Sequence, residues 1–198
     1  MAAERRIIHD HCCAVMIDVQ PFFLSHMGKR RRAKLKANIA NFIDLIDYYD
    51  IPLVVTLEQP VDEKGVLPKT IKKRLPKGQP IFGKDAFDLC KEEPIKRHLA
   101  ELEKTQVIVA GCETDVCVLQ SCLGLLNLGY TVFVVEELIF SSATNVDAAI
   151  ARMRSEGVVF LSYKTLYYEL LETVEGPIRQ PRGRVTREFP HDIPDTAL

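Results

Sequence analysis

Short unbroken apolar runs alternate along this chain with stretches whose apolar positions recur every three or four residues. The unbroken runs are Cys12 to Ile17, Leu53 to Val55, Val107 to Ala110, Thr131 to Val135 and Val158 to Leu161. Strands buried on both faces of a parallel sheet have this character. A further short strand is expected within Gln79 to Phe87, ahead of Lys84. Between the runs, Ile39, Phe42, Ile43, Ile46 and Tyr49 keep helical spacing, as do Val116, Leu119, Leu123 and Leu126. Helices are also expected over Pro94 to Leu102, from an N-cap at Thr144 through Arg154 with Gly157 as the C′ residue, and over Thr165 to Leu171. The segment Val61 to Gln79, with Gly65, Pro68, Pro76 and Gly78, reads as a long loop of the kind that shapes pockets.

This alternation predicts an α/β fold: a three-layer α/β/α arrangement around a mainly parallel, Rossmann-like sheet of about six strands. One domain over residues 1–175 is expected. A Pro/Arg-rich tail follows at 176–198, marked by Pro177, Pro181, Pro190 and Pro194, and it is either mobile or laid across a neighbouring subunit.

At 198 residues and 47% hydrophobic, the chain can bury a sizeable core. The net charge of −1 gives no global attraction to nucleic acid or membrane. One local exception is Lys29 to Lys36, with six basic residues in eight. It reads first as the solvated start of an amphipathic helix. Cations there oppose the helix dipole, so a minor nucleic-acid or acidic-partner role stays open. Six cysteines are too few for a disulfide scaffold, and most lie in apolar segments, which suits reduced thiols in a cytoplasmic protein. No signal peptide or membrane span is expected; an organelle leader stays open.

In open α/β sheets, ligands gather beyond the carboxyl ends of the strands. Three chemically active side chains fall at such ends. Asp18 follows the first strand, Lys84 the third, and Cys117 opens the helical pattern after the fourth. A helix N-terminus presents free N–H groups and partial positive charge, which favours a thiolate. Against this stands the commoner fate of a free cysteine, a buried structural thiol. Asp18 could instead be a capping residue, and a single Lys such as Lys84 is usually a surface group.

In order and spacing, these residues resemble the isochorismatase-like cysteine hydrolases, which include nicotinamidases and carbamoylsarcosine amidases. The matching segments are Ala14-Val-Met-Ile-Asp18-Val-Gln20, Gly83-Lys84-Asp-Ala-Phe87 and Gly111-Cys-Glu-Thr-Asp-Val-Cys117-Val. Gly129 to Val134 and Ala151 to Gly157 also fit, so the likeness spans Cys12 to Leu171. Thr56-Leu-Glu58-Gln59-Pro60 is similar to a segment of the small isochorismatase domain-containing hydrolases.

The resemblance implies an Asp18–Lys84–Cys117 triad. Asp18 takes the thiol proton, the Cys117 thiolate attacks a carbonyl carbon, and Lys84 lowers the thiol pKa. It implies an oxyanion hole from the backbone N–H groups of Glu113 and Cys117, and a cis peptide at Cys112–Glu113. Phe22, Phe23, Glu58, Gln59 and Phe87 are candidate pocket residues, the aromatics being equally candidates for the core. A homo-oligomer acting on a small-molecule substrate is expected.

Two departures shape the reading. Nicotinamidases carry an Asp-x-His…His metal cluster after the second strand, whereas this chain has no histidine between His26 and His98. No catalytic metal and no cofactor are therefore expected. Vinyl-ether-cleaving isochorismatases do not use the cysteine, so Cys117 favours an amide or related acyl substrate. The competing reading is a binding or scaffold protein that kept the fold, associating with RNA or protein through Lys29 to Lys36. A Rossmann oxidoreductase is disfavoured, because Val19-Gln-Pro-Phe-Phe23 replaces the Gly-rich turn.

Overall fold

The apolar runs form six parallel strands: β1 (Cys12–Ile17), β2 (Leu53–Glu58), β3 (Ile81–Lys84), β4 (Gln106–Cys112), β5 (Thr131–Phe140) and β6 (Val159–Leu161). The computed structural model describes residues 6–173, so the Pro/Arg-rich tail lies outside the described residues. The strand order is β3-β2-β1-β4-β5-β6. It reverses direction between β1 and β4, the switch point where parallel sheets open a crevice.

Each strand divides its side chains between two cores. Cys12, Ala14 and Met16 join one, and Cys13, Val15 and Ile17 join the other. Over the first lie α1 (Pro21–Ser25), α2 (Lys29–Tyr48), α4 (Lys69–Lys72) and α8 (Tyr163–Leu171). Over the second lie α5 (Glu93–Glu101), α6 (Leu119–Asn127) and α7 (Asp147–Ser155). The three-layer α/β/α expectation therefore holds. Helix α2 shows how the pattern works: Leu35, Ile39, Phe42, Ile43 and Ile46 are buried, while Lys29, Arg30 and Arg31 are exposed. Truncating the fully buried Phe42 to Ala is expected to cost about 3–5 kcal/mol.

Four local expectations change. The segment after β2 is not one loop; it holds α3 (Val61–Lys64) and α4, whose Ile71 is buried against the α2 side of the core. Strand β5 runs on past Val135 to Phe140, with a register irregularity opposite Val109 and Gly111. Glu136 and Glu137 interrupt its apolar pattern because Glu136 pairs with Arg154 and Glu137 accepts from the Tyr163 N–H at the start of α8. Thr144 does not cap α7, which begins at Asp147 after Asn145 Oδ1 accepts the Asp147 N–H at 2.8 Å. Helix α8 starts two residues ahead of Thr165, where Ser162 accepts the Thr165 N–H. Gly157 does follow the α7 C-cap, with φ +104°. Among the described residues no helix is long and apolar enough to cross a membrane.

Candidate active site

Four neighbouring strand ends deliver four polar side chains to one point. In spatial order they are Lys84 from β3, Glu58 from β2, Asp18 after β1, and Cys117 after β4. Glu58 and Lys84 are paired directly across the β2–β3 ladder. The Lys84 ammonium is the hub. Its Nζ lies 2.7 Å from Asp18 Oδ2, 3.6 Å from Glu58 Oε2 and 3.4 Å from Cys117 Sγ. It also donates to the Ala86 carbonyl at 3.2 Å. Asp18, Lys84 and Cys117 are all buried.

The local backbone sets this up. Asp18 sits at φ +49°, a conformation that is costly for a residue with a side chain and that clusters at working sites. Thr56 Oγ1 donates to Asp18 Oδ1 at 2.8 Å, which orients the carboxylate. On β4, Gly111 has φ +123°, and a Cβ there would lie 2.0 Å from the Ile17 carbonyl oxygen. Only glycine lets β4 pass this close to the end of β1. The Cys112–Glu113 peptide is cis, as the resemblance implied. Cys117 does not occupy the first turn of a regular α-helix. It lies on a π-helical turn, Thr114–Val118, that precedes α6. Such turns recur at functional sites.

Electrostatics correct one expectation. The Cys117 thiol is not pushed down. Burial raises its pKa first, and the Asp18 charge raises it further. Lys84 opposes this, and the hydrogen bond to Glu58 adds to the rise. Two carboxylates and desolvation thus outweigh one ammonium, so the resting group is a thiol. Asp18 is likewise raised, chiefly by burial, against the lowering effect of Lys84 and Thr56. Lys84 is raised: burial works against its charge, but Asp18, Cys117 and Glu58 together prevail. Glu58 is lowered, because hydrogen bonds from Cys117 and Lys64 and the charge of Lys84 overcome the effect of burial.

Glu58 was expected only as a pocket residue. In the structure it contacts the nucleophile itself: Cys117 donates its S–H to Glu58 Oε2 at 2.8 Å. Lys64, which the sequence pattern did not single out, holds the other oxygen at 2.6 Å. Gln20 is buried and clamps the same segment. Its Nε2 donates to the carbonyls of Glu58 and Gly65, and its Oε1 accepts the Glu58 N–H. The other pocket candidates separate. Phe23 is buried in the core, so it is not a lining residue. Phe22 and Phe87 are 46% and 54% exposed. Gln59 turns its Oε1 to the Val61 N–H and its Nε2 over Gly83.

Asp18, Glu58 and Cys117 each offer one ligand atom within 4.8 Å of the others, a spacing that a cation could bridge. The Lys84 ammonium already stands against all three atoms, so the cationic place in this donor set is filled by the chain itself.

Comparison with known proteins agrees with this geometry. The model of the isochorismatase domain matches residues 12–165. Isochorismatase family protein 1B of Dictyostelium discoideum is 27% identical over 174 residues, covering 83% of this chain and 81% of that protein. The MAR1 ribonuclease of Caenorhabditis elegans superposes with a TM-score of 0.79 at 27% identity, covering 87% of each chain. The YcaC gene product of Escherichia coli, described as an octameric hydrolase of unknown specificity, gives 0.81 at 23% identity over 90% of this chain and 88% of its own. With the family model spanning both cores and all four members of the cluster, the chain belongs to the isochorismatase family of hydrolases.

Proposed function

We propose that this chain hydrolyses an amide, or a related acyl C–N bond, of a small molecule through a thioester on Cys117. The observation that carries this reading is the buried Lys84 ammonium touching both Asp18 and Cys117 at the sheet's switch point. A cation held there stabilises the thiolate as the S–H bond breaks. Because the resting sulfur is a thiol, its proton must pass to a carboxylate of the cluster as sulfur attacks the carbonyl carbon. The oxyanion is received by the backbone N–H groups of Glu113 and Cys117. Collapse breaks the C–N bond, and the departing nitrogen takes the proton. Water then hydrolyses the thioester and releases the acid. No cofactor enters these steps. The six free thiols suit a reducing, cytoplasmic setting.

The test is a panel of small primary amides and carbamoyl compounds, quenched early and weighed by intact mass spectrometry. An acyl adduct mapping to Cys117, absent from Cys117→Ala, is expected. Turnover that survives Cys117→Ala would refute the reading.

A second reading rests on the exposed basic start of α2 and the likeness to a protein described as a ribonuclease. In that reading Lys29 to Lys36 binds RNA. Binding that weakens steeply with salt and is lost when this run is neutralised, but not in Cys117→Ala, would favour it.

A further inference from the structure

The nucleophile's proton has an address in this structure, and it is not Asp18. Cys117 Sγ donates to Glu58 Oε2 at 2.8 Å. Both oxygens of Asp18 are engaged elsewhere, Oδ1 with Thr56 and Oδ2 against Lys84. Glu58 is also built to stay in place. Gln20 grips its backbone on both sides and reaches on to Gly65, fixing the turn that carries Lys64. The charged and titratable groups facing Glu58 are Lys64 from α3, Lys84 from β3, Asp18 beyond β1, and Cys117 itself. One carboxylate oxygen is thus committed to a cation and the other to the thiol.

We propose that Glu58 is the catalytic proton carrier of the site, while Asp18 is a positioning residue that anchors Lys84. This assignment rests on the cysteine-hydrolase reading above. In the acylation step the S–H bond breaks, an O–H bond forms on Glu58, and sulfur bonds to the carbonyl carbon, whose π electrons move to oxygen. When the tetrahedral species collapses, the C–N bond breaks and nitrogen takes the proton from Glu58. In deacylation, attacking water gives its proton to Glu58, and the C–S bond then breaks. The departing sulfur recovers that proton, and the site returns to its starting state.

The assignment makes a prediction opposite in sign to that of charge alone. Glu58 is one of the negative groups that hold the thiol up. If its role were only electrostatic, Glu58→Gln would ionise Cys117 more easily and speed its alkylation. If Glu58 takes the proton, the same variant loses the acceptor, and alkylation slows on the order of a hundredfold. The measurement is the rate of iodoacetamide labelling of Cys117 against pH, read site by site by mass spectrometry, with circular dichroism to establish folding.

Lys64→Met is the second variant, at a partly exposed position that leaves the core untouched. Removing this cation makes Glu58 a better proton acceptor, so labelling should rise about two- to fivefold at fixed pH. A charge-only role predicts a fall. Slower labelling in folded Glu58→Gln together with faster labelling in Lys64→Met supports the proposal. Unchanged or faster labelling in Glu58→Gln overturns it, and if that variant does not fold, unchanged or slower labelling in Lys64→Met does so. Labelling needs no substrate. A failed Glu58 assignment is therefore distinguishable from a failed hydrolase reading, which the acyl-adduct experiment decides separately.

Discussion

Replacing Lys84 by Met removes a charge from the centre of the molecule and little else. The two side chains are similar in length, and the Lys84 side chain is completely buried, so packing is largely kept. What remains is Asp18, also completely buried, without the ammonium that stood 2.7 Å away. Breaking a buried pair from one side typically costs about 3–5 kcal/mol. The structure bounds this figure independently. Asp18 can escape an unpaired charge by taking up a proton, and raising an ordinary value of 3.8 past pH 7 costs about 4.4 kcal/mol at 1.36 kcal/mol per unit. The loss assignable to Asp18 in Lys84→Met at pH 7 is therefore capped near that figure.

The sign of the pH dependence follows. Asp18 is already raised in the fold, chiefly by burial, and Lys84 is the largest influence opposing the rise. Removing Lys84 raises it further. A carboxyl raised in the folded state favours folding while protonated, and that advantage fades as pH climbs through its folded value. The deficit of Lys84→Met against wild type should therefore shrink as pH falls from 8 to 5, by up to about 1.4 kcal/mol per unit. Equilibrium urea unfolding of both proteins at four pH values in this window measures it. A deficit below 1 kcal/mol at pH 7, or one that does not change with pH, would refute the argument that Asp18 and Lys84 form a mutually dependent buried pair.

Other perturbations have equally definite outcomes. Gly111→Ala should cost more than about 4 kcal/mol, or leave no soluble folded protein, since its Cβ would meet the Ile17 carbonyl oxygen at 2.0 Å in a left-handed conformation; thermal melting reads this directly. Thr56→Val removes the 2.8 Å donor to Asp18 with little change of shape and should cost about 1–3 kcal/mol at pH 7, less at pH 5, in chemical denaturation. Because E. coli YcaC is described as octameric, we also expect self-association here, and light scattering across a concentration series giving only the 22.4 kDa monomer would contradict it.

The amino-acid sequence by itself determined the layers, the order of strands and helices, and three of the four groups in the cluster. It could do so because those features are written in nearest-neighbour chemistry. An unbroken apolar run such as Cys12 to Ile17 is legible wherever it stands, and Asp18, Lys84 and Cys117 each follow or begin such a pattern. Other features depend on contacts that no local pattern encodes. Glu136 and Glu137 read as the end of a strand, yet Arg154 and the α8 N-terminus make them its interior. Lys64 is one more cation in a polar stretch until α3 folds it back onto Glu58.

The ionisation of Cys117 was decided by tertiary structure alone. A helix start and a nearby lysine argue for a thiolate, but burial and two converging carboxylates reverse the balance. The role of Glu58 was hidden for the same reason. A residue at the end of β2 faces the nucleophile after β4 only because β1 lies between them in the sheet, and that adjacency is a property of the strand order, not of the sequence around either residue.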